Sequence, residues 1–129
     1  MIQHPPYQKG ECTRCHPKEL SFSLGEEFDT RGMCFNCHEH DPFKQRLAGY
    51  ACVHGPVAIK NCLACHDPHE SLYPRMAVAP DPKLCFGCHD KDLILSTRAP
   101  SSLKEETCLG CHDPHGGDTR YFLRGEAKR

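Results

Sequence analysis

Apolar residues fall in short, broken runs along the chain. Runs such as Leu93-Ile94-Leu95 are far below the ~20 residues that span a membrane. No segment alternates for long enough to predict a sheet. The patterning predicts short helices over 31–39, 82–95 and 103–112. Asp81-Pro82 gives the second a start, with Asp as cap and Pro at the first helical position. Ser101 or Ser102 would cap the third. Stretches rich in Pro and Gly, at 53–57, 73–82 and 113–118, read as loops. The expected fold is mostly irregular, with short α-helices and little or no β-sheet.

Composition sharpens this picture. The sequence has 129 residues, 38% of them hydrophobic, with 11 Pro, 10 Gly and no Trp. A chain of that size forms one small domain or two very small ones, and it struggles to build a large side-chain core. The 11 Cys and 10 His suggest what takes its place. Small cysteine-dense chains are held together by disulfides, metals or cofactors. A formal charge of −1 leaves no basic footprint for nucleic acid. The opening Met1-Ile2-Gln3-His4-Pro5 lacks the basic flank and apolar stretch of a secretory leader. The expectation is a leader already removed, or a segment of a larger protein.

Ten of the eleven cysteines follow one pattern, C-x-x-C-H. The copies are Cys12-Cys15-His16, Cys34-Cys37-His38, Cys62-Cys65-His66, Cys85-Cys88-His89 and Cys108-Cys111-His112. This spacing is the attachment signature of c-type haem. Two intervening residues set the sulfurs at the separation of the two porphyrin vinyls. The adjacent His then reaches under the ring as the proximal iron ligand. One C-x-x-C alone would more often be a zinc knuckle or a redox pair. Zinc needs no His directly after the second Cys, and a disulfide framework would not repeat the triplet five times. The expected cofactors are five haem c groups with their iron.

Five His remain: His4, His40, His54, His69 and His115. Their number equals the number of motifs, so the economical reading gives every iron a second His. Such irons stay low-spin and leave no open position for a substrate. Any one of these His, taken alone, would read as a surface residue. Met1, Met33 and Met76 are alternative ligands, but with enough His they read as packing residues.

The chain also repeats. His4-x-Pro6-x5-Cys12 matches His54-x-Pro56-x5-Cys62 at a shift of fifty residues. Cys111-His112-Asp113-Pro114-His115 matches Cys65-His66-Asp67-Pro68-His69. The organisation predicted is a single domain over 1–129, with a haem pair in 1–50, a second pair in 51–100 and a fifth half-unit in 101–129.

His54-Gly-Pro-Val-Ala, Cys62-Leu-Ala-Cys65-His66-Asp-Pro-His69 and Cys85-Phe-Gly-Cys88-His89 together resemble the doubled C-x-x-C-H family of multihaem cytochromes. The likeness covers nearly the whole chain and is strongest over 54–115. It implies an electron carrier of the periplasm or cell surface. The first unit departs from the pattern, with Pro17-Lys18-Glu19 after His16, and the third has Pro100 where an upstream His would stand. His40 is a candidate to fill one gap. Each of His40, His69 and His115 lies too close to its own proximal His to reach the far face of the same ring, so each should serve another haem. A His eight residues before the first Cys resembles small tetrahaem cytochromes c. That likeness implies His4 on the His16 haem and His54 on the His66 haem.

Cys52 fits no motif and reads as a buried free thiol, with an intermolecular disulfide as the sharper alternative. Haem attachment takes place outside the cytoplasm, so the expected location is periplasmic or extracellular, at the cell surface. Propionates bring the oxidised holoprotein to roughly −6, which favours cationic partner patches or mineral and metal-ion acceptors. The expected partners are other redox proteins or extracellular acceptors, with no nucleic acid and no transmembrane segment. A fifth haem without a pair could stack on the next copy of the chain, and head-to-tail contacts of that kind make filaments. The competing class is an enzyme: a multihaem oxidoreductase, or an electron-feeding subunit of a reductase complex. Catalysis of that kind needs an open distal position or an unusual proximal ligand such as Lys. All five motifs end in His, so the expectation is electron transfer and no enzyme.

Overall fold

The computed structural model describes residues 1–16, 31–39, 42–96 and 107–125. Its elements are small. They run β1 (Ile2–Gln3), α1 (Pro5–Gln8), α2 (Phe35–His38), α3 (Pro42–Ala48), β2 (Cys52–Val53), α4 (Gly55–Ala58), β3 (Glu70–Ser71), α5 (Lys83–Phe86), α6 (Lys91–Ser96) and β4 (Gly116–Gly117). Single 3₁₀ turns lie at Cys12–Arg14, Cys62–Ala64 and Pro74–Met76. The fold is mostly irregular with short helices, as the broken apolar pattern predicts. No described helix is long and apolar enough to cross a membrane.

Two antiparallel strand pairs tie distant parts of the chain together. β1 pairs with β3, setting Ile2 opposite Ser71 and Gln3 opposite Glu70. β2 pairs with β4, setting Cys52 opposite Gly117 and Val53 opposite Gly116. Each strand runs into a histidine. The His4 amide donates to the His69 carbonyl (2.9 Å), and the His54 amide to the His115 carbonyl (3.0 Å).

The fifty-residue repeat is visible bond by bond. Both β1 and β2 lead into a Pro-containing helical turn, closed by Gln8 N–H to His4 C=O in one case and Ala58 N–H to His54 C=O in the other, both 2.9 Å. Both turns then pass through a left-handed residue, Gly10 at φ 67° and Lys60 at φ 59°. Glycine takes that conformation freely, whereas a lysine costs on the order of 1–2 kcal/mol there. The tolerated cost at Lys60 shows that tertiary context, not local propensity, sets this turn.

Several local expectations are corrected. Of the helix expected over 31–39, Phe35–His38 forms. The one expected over 82–95 is two pieces, α5 and α6. Within 103–112 the described part is turn rather than helix, and Ser101 and Ser102 lie outside the described residues. The stretch 53–57, read as loop, holds the end of β2 and the start of α4. Asp81 does not cap α5. Its carboxylate instead accepts the Cys108 N–H (2.9 Å) and Leu109 N–H (3.1 Å), because α5 begins after Pro82 while the Cys108 turn leaves amides in need of an acceptor. Met1, read as a packing residue, is 75% exposed.

Among the described residues no hydrophobic side chain is buried. Without apolar burial the polypeptide has little to offset the chain entropy lost on folding. The protein without its cofactors should therefore show no cooperative thermal unfolding by circular dichroism. A cooperative melt of the cofactor-free chain would show that the polypeptide supplies its own core.

Candidate functional site

All five C-x-x-C-H motifs adopt the same turn. In each, the amide of the second Cys donates to the carbonyl of the first at 3.2 Å: Cys15 to Cys12, Cys37 to Cys34, Cys65 to Cys62, Cys88 to Cys85 and Cys111 to Cys108. The following His amide returns to that same carbonyl at 2.8–3.0 Å. The turn gathers two thiols and one imidazole at each motif. No two of the eleven cysteines are joined by a disulfide.

Four of the motif imidazoles face a second imidazole. The ring centres are 6.2 Å apart for His4 and His38, 5.9 Å for His16 and His69, 6.0 Å for His54 and His89, and 6.3 Å for His66 and His115. A metal–imidazole bond is about 2.0 Å and a ring nitrogen lies about 1.1 Å from its ring centre, so two imidazoles on opposite sides of one ion sit about 6.2 Å apart. Any single pair would pass for an ordinary aromatic contact. Four pairs within 5.9–6.3 Å, each joining a motif His to one of the other five, fit a six-coordinate iron with two axial His. A tetrahedral zinc site, with its closer and angled ligands, fits less well.

The pairing corrects one expectation and agrees with another. His4 faces His38 rather than His16, and His54 faces His89 rather than His66. The cause is strand pairing. β1 and β2 are each fastened to the segment after the next unit's motif, so His69 and His115 take the places beside His16 and His66. His69 and His115 thus face a motif other than their own, as their closeness to His66 and His112 requires. His40 lies outside the described residues.

Hydrogen bonds fix which nitrogen is free. His66 Nδ1 lies 2.9 Å from the Arg75 carbonyl, His112 Nδ1 2.5 Å from the Tyr121 carbonyl and His54 Nδ1 2.8 Å from the Pro114 carbonyl. A carbonyl only accepts, so Nδ1 carries the proton and Nε2 keeps its lone pair for a metal. His66 and His112 sit in equivalent loops, each bonding a carbonyl nine residues on. His115 differs: its Nδ1 donates to Asp113 Oδ1 at 3.1 Å. Burial, partly opposed by Asp113, lowers the His115 pKa and favours the neutral ring. Burial pushes the Asp113 carboxyl up, but hydrogen bonds from the Tyr50 hydroxyl and the His115 amide, with nearby His115 and Arg124, bring it below its usual value.

Thiols of different motifs meet. The Sγ atoms of Cys85 and Cys108 and a carboxylate oxygen of Asp81 lie within 4.8 Å of one another. Burial, then Cys85 and Asp81, push the Cys108 thiol up to about 12. The Cys34 thiol is likewise raised, by burial and by a hydrogen-bonded Cys62. Cofactor edges attached at Cys34 and Cys62 would be neighbours, as would those at Cys85 and Cys108. Cys52 is half-buried in β2 beside β4, away from the motifs' shared turn.

Residues 54–93 match the family model of the doubled CXXCH motif, and over that segment the resemblance to multihaem c-type cytochromes holds. The motif marks covalent attachment of haem c with its iron. No curated protein and no solved structure matches the chain.

Sequence reasoning read Asp81 as a helix cap and not as an acceptor for the Cys108 turn, and it gave Asp113 and Tyr50 no role. Asp113 carried a signal, because Asp67 and Asp113 recur two residues before His69 and His115. Tyr50 carried none.

The strand clamp is sensitive at Gly116. A Cβ there would lie 2.5 Å from the Cys52 carbonyl oxygen and 2.7 Å from Tyr50 Cδ2. Gly116→Ala should destabilise the cofactor-loaded protein by about 1–3 kcal/mol, as overpacking does. Thermal melting reads this directly, and an unchanged midpoint would mean that β2 and β4 are not clamped.

Proposed function

We propose that the chain carries electrons through five covalently bound haem c groups, outside the cytoplasm. Thioether attachment falls to Cys12 and Cys15, Cys34 and Cys37, Cys62 and Cys65, Cys85 and Cys88, and Cys108 and Cys111. The proximal ligands are His16, His38, His66, His89 and His112. The observation that carries the reading is the set of four facing imidazole pairs at 5.9–6.3 Å. When bound, the haems supply one-electron exchange between ferric and ferrous iron. The facing pairs His4 and His38, His16 and His69, His54 and His89, and His66 and His115 would each hold one iron between two imidazoles, so that little would rearrange as charge changes and no position would open to a substrate.

The ligand order forms a ladder. His4 and His54 serve the second motif of their own unit, and His69 and His115 serve the first motif of the unit before. Each unit is thereby bound to the next by metal ligands as well as by strands. His112 occupies the place of His16 and His66 in the third unit. Among the ten His, His40 is the one left to partner it. The finer form of the proposal stacks this last haem on a second copy of the chain, in a head-to-tail filament. Electron micrographs of the holoprotein should then show fibres rather than discrete particles.

Intact mass should report five haems per chain, and the visible and magnetic spectra should be low-spin. His4→Ala should turn one iron high-spin and able to bind carbon monoxide, with the haem count unchanged. In a background of Cys34→Ala and Cys37→Ala, which removes the haem beside His38, His4→Ala should add no high-spin signal. A new high-spin signal in that background would move His4 to another iron.

A further inference from the structure

The His115 side of the third site differs from the other imidazoles whose partners are visible. His54, His66 and His112 donate to neutral backbone carbonyls. His115 donates to a carboxylate, Asp113 Oδ1, at 3.1 Å. The side chains of His115 and Asp113 are only 24% and 14% exposed, so water screens this contact little. The other carboxylate oxygen accepts the Tyr50 hydroxyl. Burial, then that bond to Asp113, raises the Tyr50 pKa, which keeps the phenol protonated as a donor.

The matching loop one repeat earlier is built differently. Asp67 Oδ1 there accepts the His69 amide at 2.8 Å, as Asp113 Oδ1 accepts the His115 amide at 3.0 Å, but its second partner is the Glu70 amide at 3.3 Å and not an imidazole. The His69 ring is tilted against Tyr7 at 5.0 Å. Glu70 of that loop is replaced by Gly116, and only a residue without a Cβ leaves room for the Tyr50 ring. Tyr50, Gly116 and Asp113 thus occur together as one arrangement around His115.

We infer that Asp113 is a positioning residue that strengthens His115 as an electron donor to iron, and that the Tyr50 hydroxyl moderates it. The inference rests on the reading of His66 and His115 as a pair of haem ligands. An imidazole that donates its Nδ1–H to an anion gains imidazolate character and binds ferric iron more strongly than ferrous iron. The site it serves is held toward the oxidised state. Tyr50 draws charge from the carboxylate and so weakens that effect. The potential of this site is then lowered by the protein and not by the cofactor.

The two residues predict opposite signs, which loop support alone does not. In a spectroelectrochemical titration of the holoprotein, Asp113→Asn should shift one midpoint upward and leave the others near their wild-type values. Tyr50→Phe should shift the same midpoint downward. Asp113→Glu should restore part of the wild-type value. If Asp113→Asn fails to retain its haems, Tyr50→Phe decides alone: a downward shift supports the inference, and an unchanged or raised midpoint overturns it. Shifts of the same sign in both variants, or shifts spread over all midpoints, also overturn it. The underlying reading fails separately, if the wild type itself has fewer than five haems by mass or a high-spin iron.

Discussion

Four pairs of imidazoles face each other with ring centres 5.9–6.3 Å apart, and the rest of the structure serves to bring them together. The paired histidines are far apart in the chain: His4 faces His38, and His16 faces His69. Short helical turns can present one imidazole each, but they cannot bring two distant turns face to face. The two-residue strand pairs do this. β1 against β3 and β2 against β4 hold His4 beside His69 and His54 beside His115 at the level of the backbone. The sheets are too small to stabilise a domain; they work as registers.

The same economy runs through the polar contacts. With no described hydrophobic side chain buried, structure is maintained by local turns and by caps borrowed across units. Asp81 shows this well. It leaves its own helix uncapped and ties down the Cys108 turn instead. The His66 and His112 loops show it again, each closed by a carbonyl that also orients the ring. Each of these contacts is made to a residue in or beside a C-x-x-C-H motif, so the bonds that hold the fold also set the motif's geometry.

Much was legible in the sequence alone. The spacing of ten Cys and five His is a local covalent constraint, and a local constraint can be read from neighbouring letters. All five motifs do share one turn. The fifty-residue shift between His4 and His54 is likewise visible without coordinates, as is the expectation that His69 and His115 turn to a motif other than their own, and their rings do face His16 and His66. The scarcity of apolar runs announced an irregular fold with little sheet. What the sequence could not carry was partner choice. Whether His4 closes over His16 or His38 depends on where β1 docks, and β1 docks on residues 70 and 71, far along the chain. The placing of Asp81 on Cys108 and of Tyr50 on Asp113 depends equally on contacts across units. The sequence by itself determined the five C-x-x-C-H motifs and the turn they share, because covalent spacing is local. Tertiary structure decided which histidine faces which, because the two members of each pair lie on segments that only folding brings together.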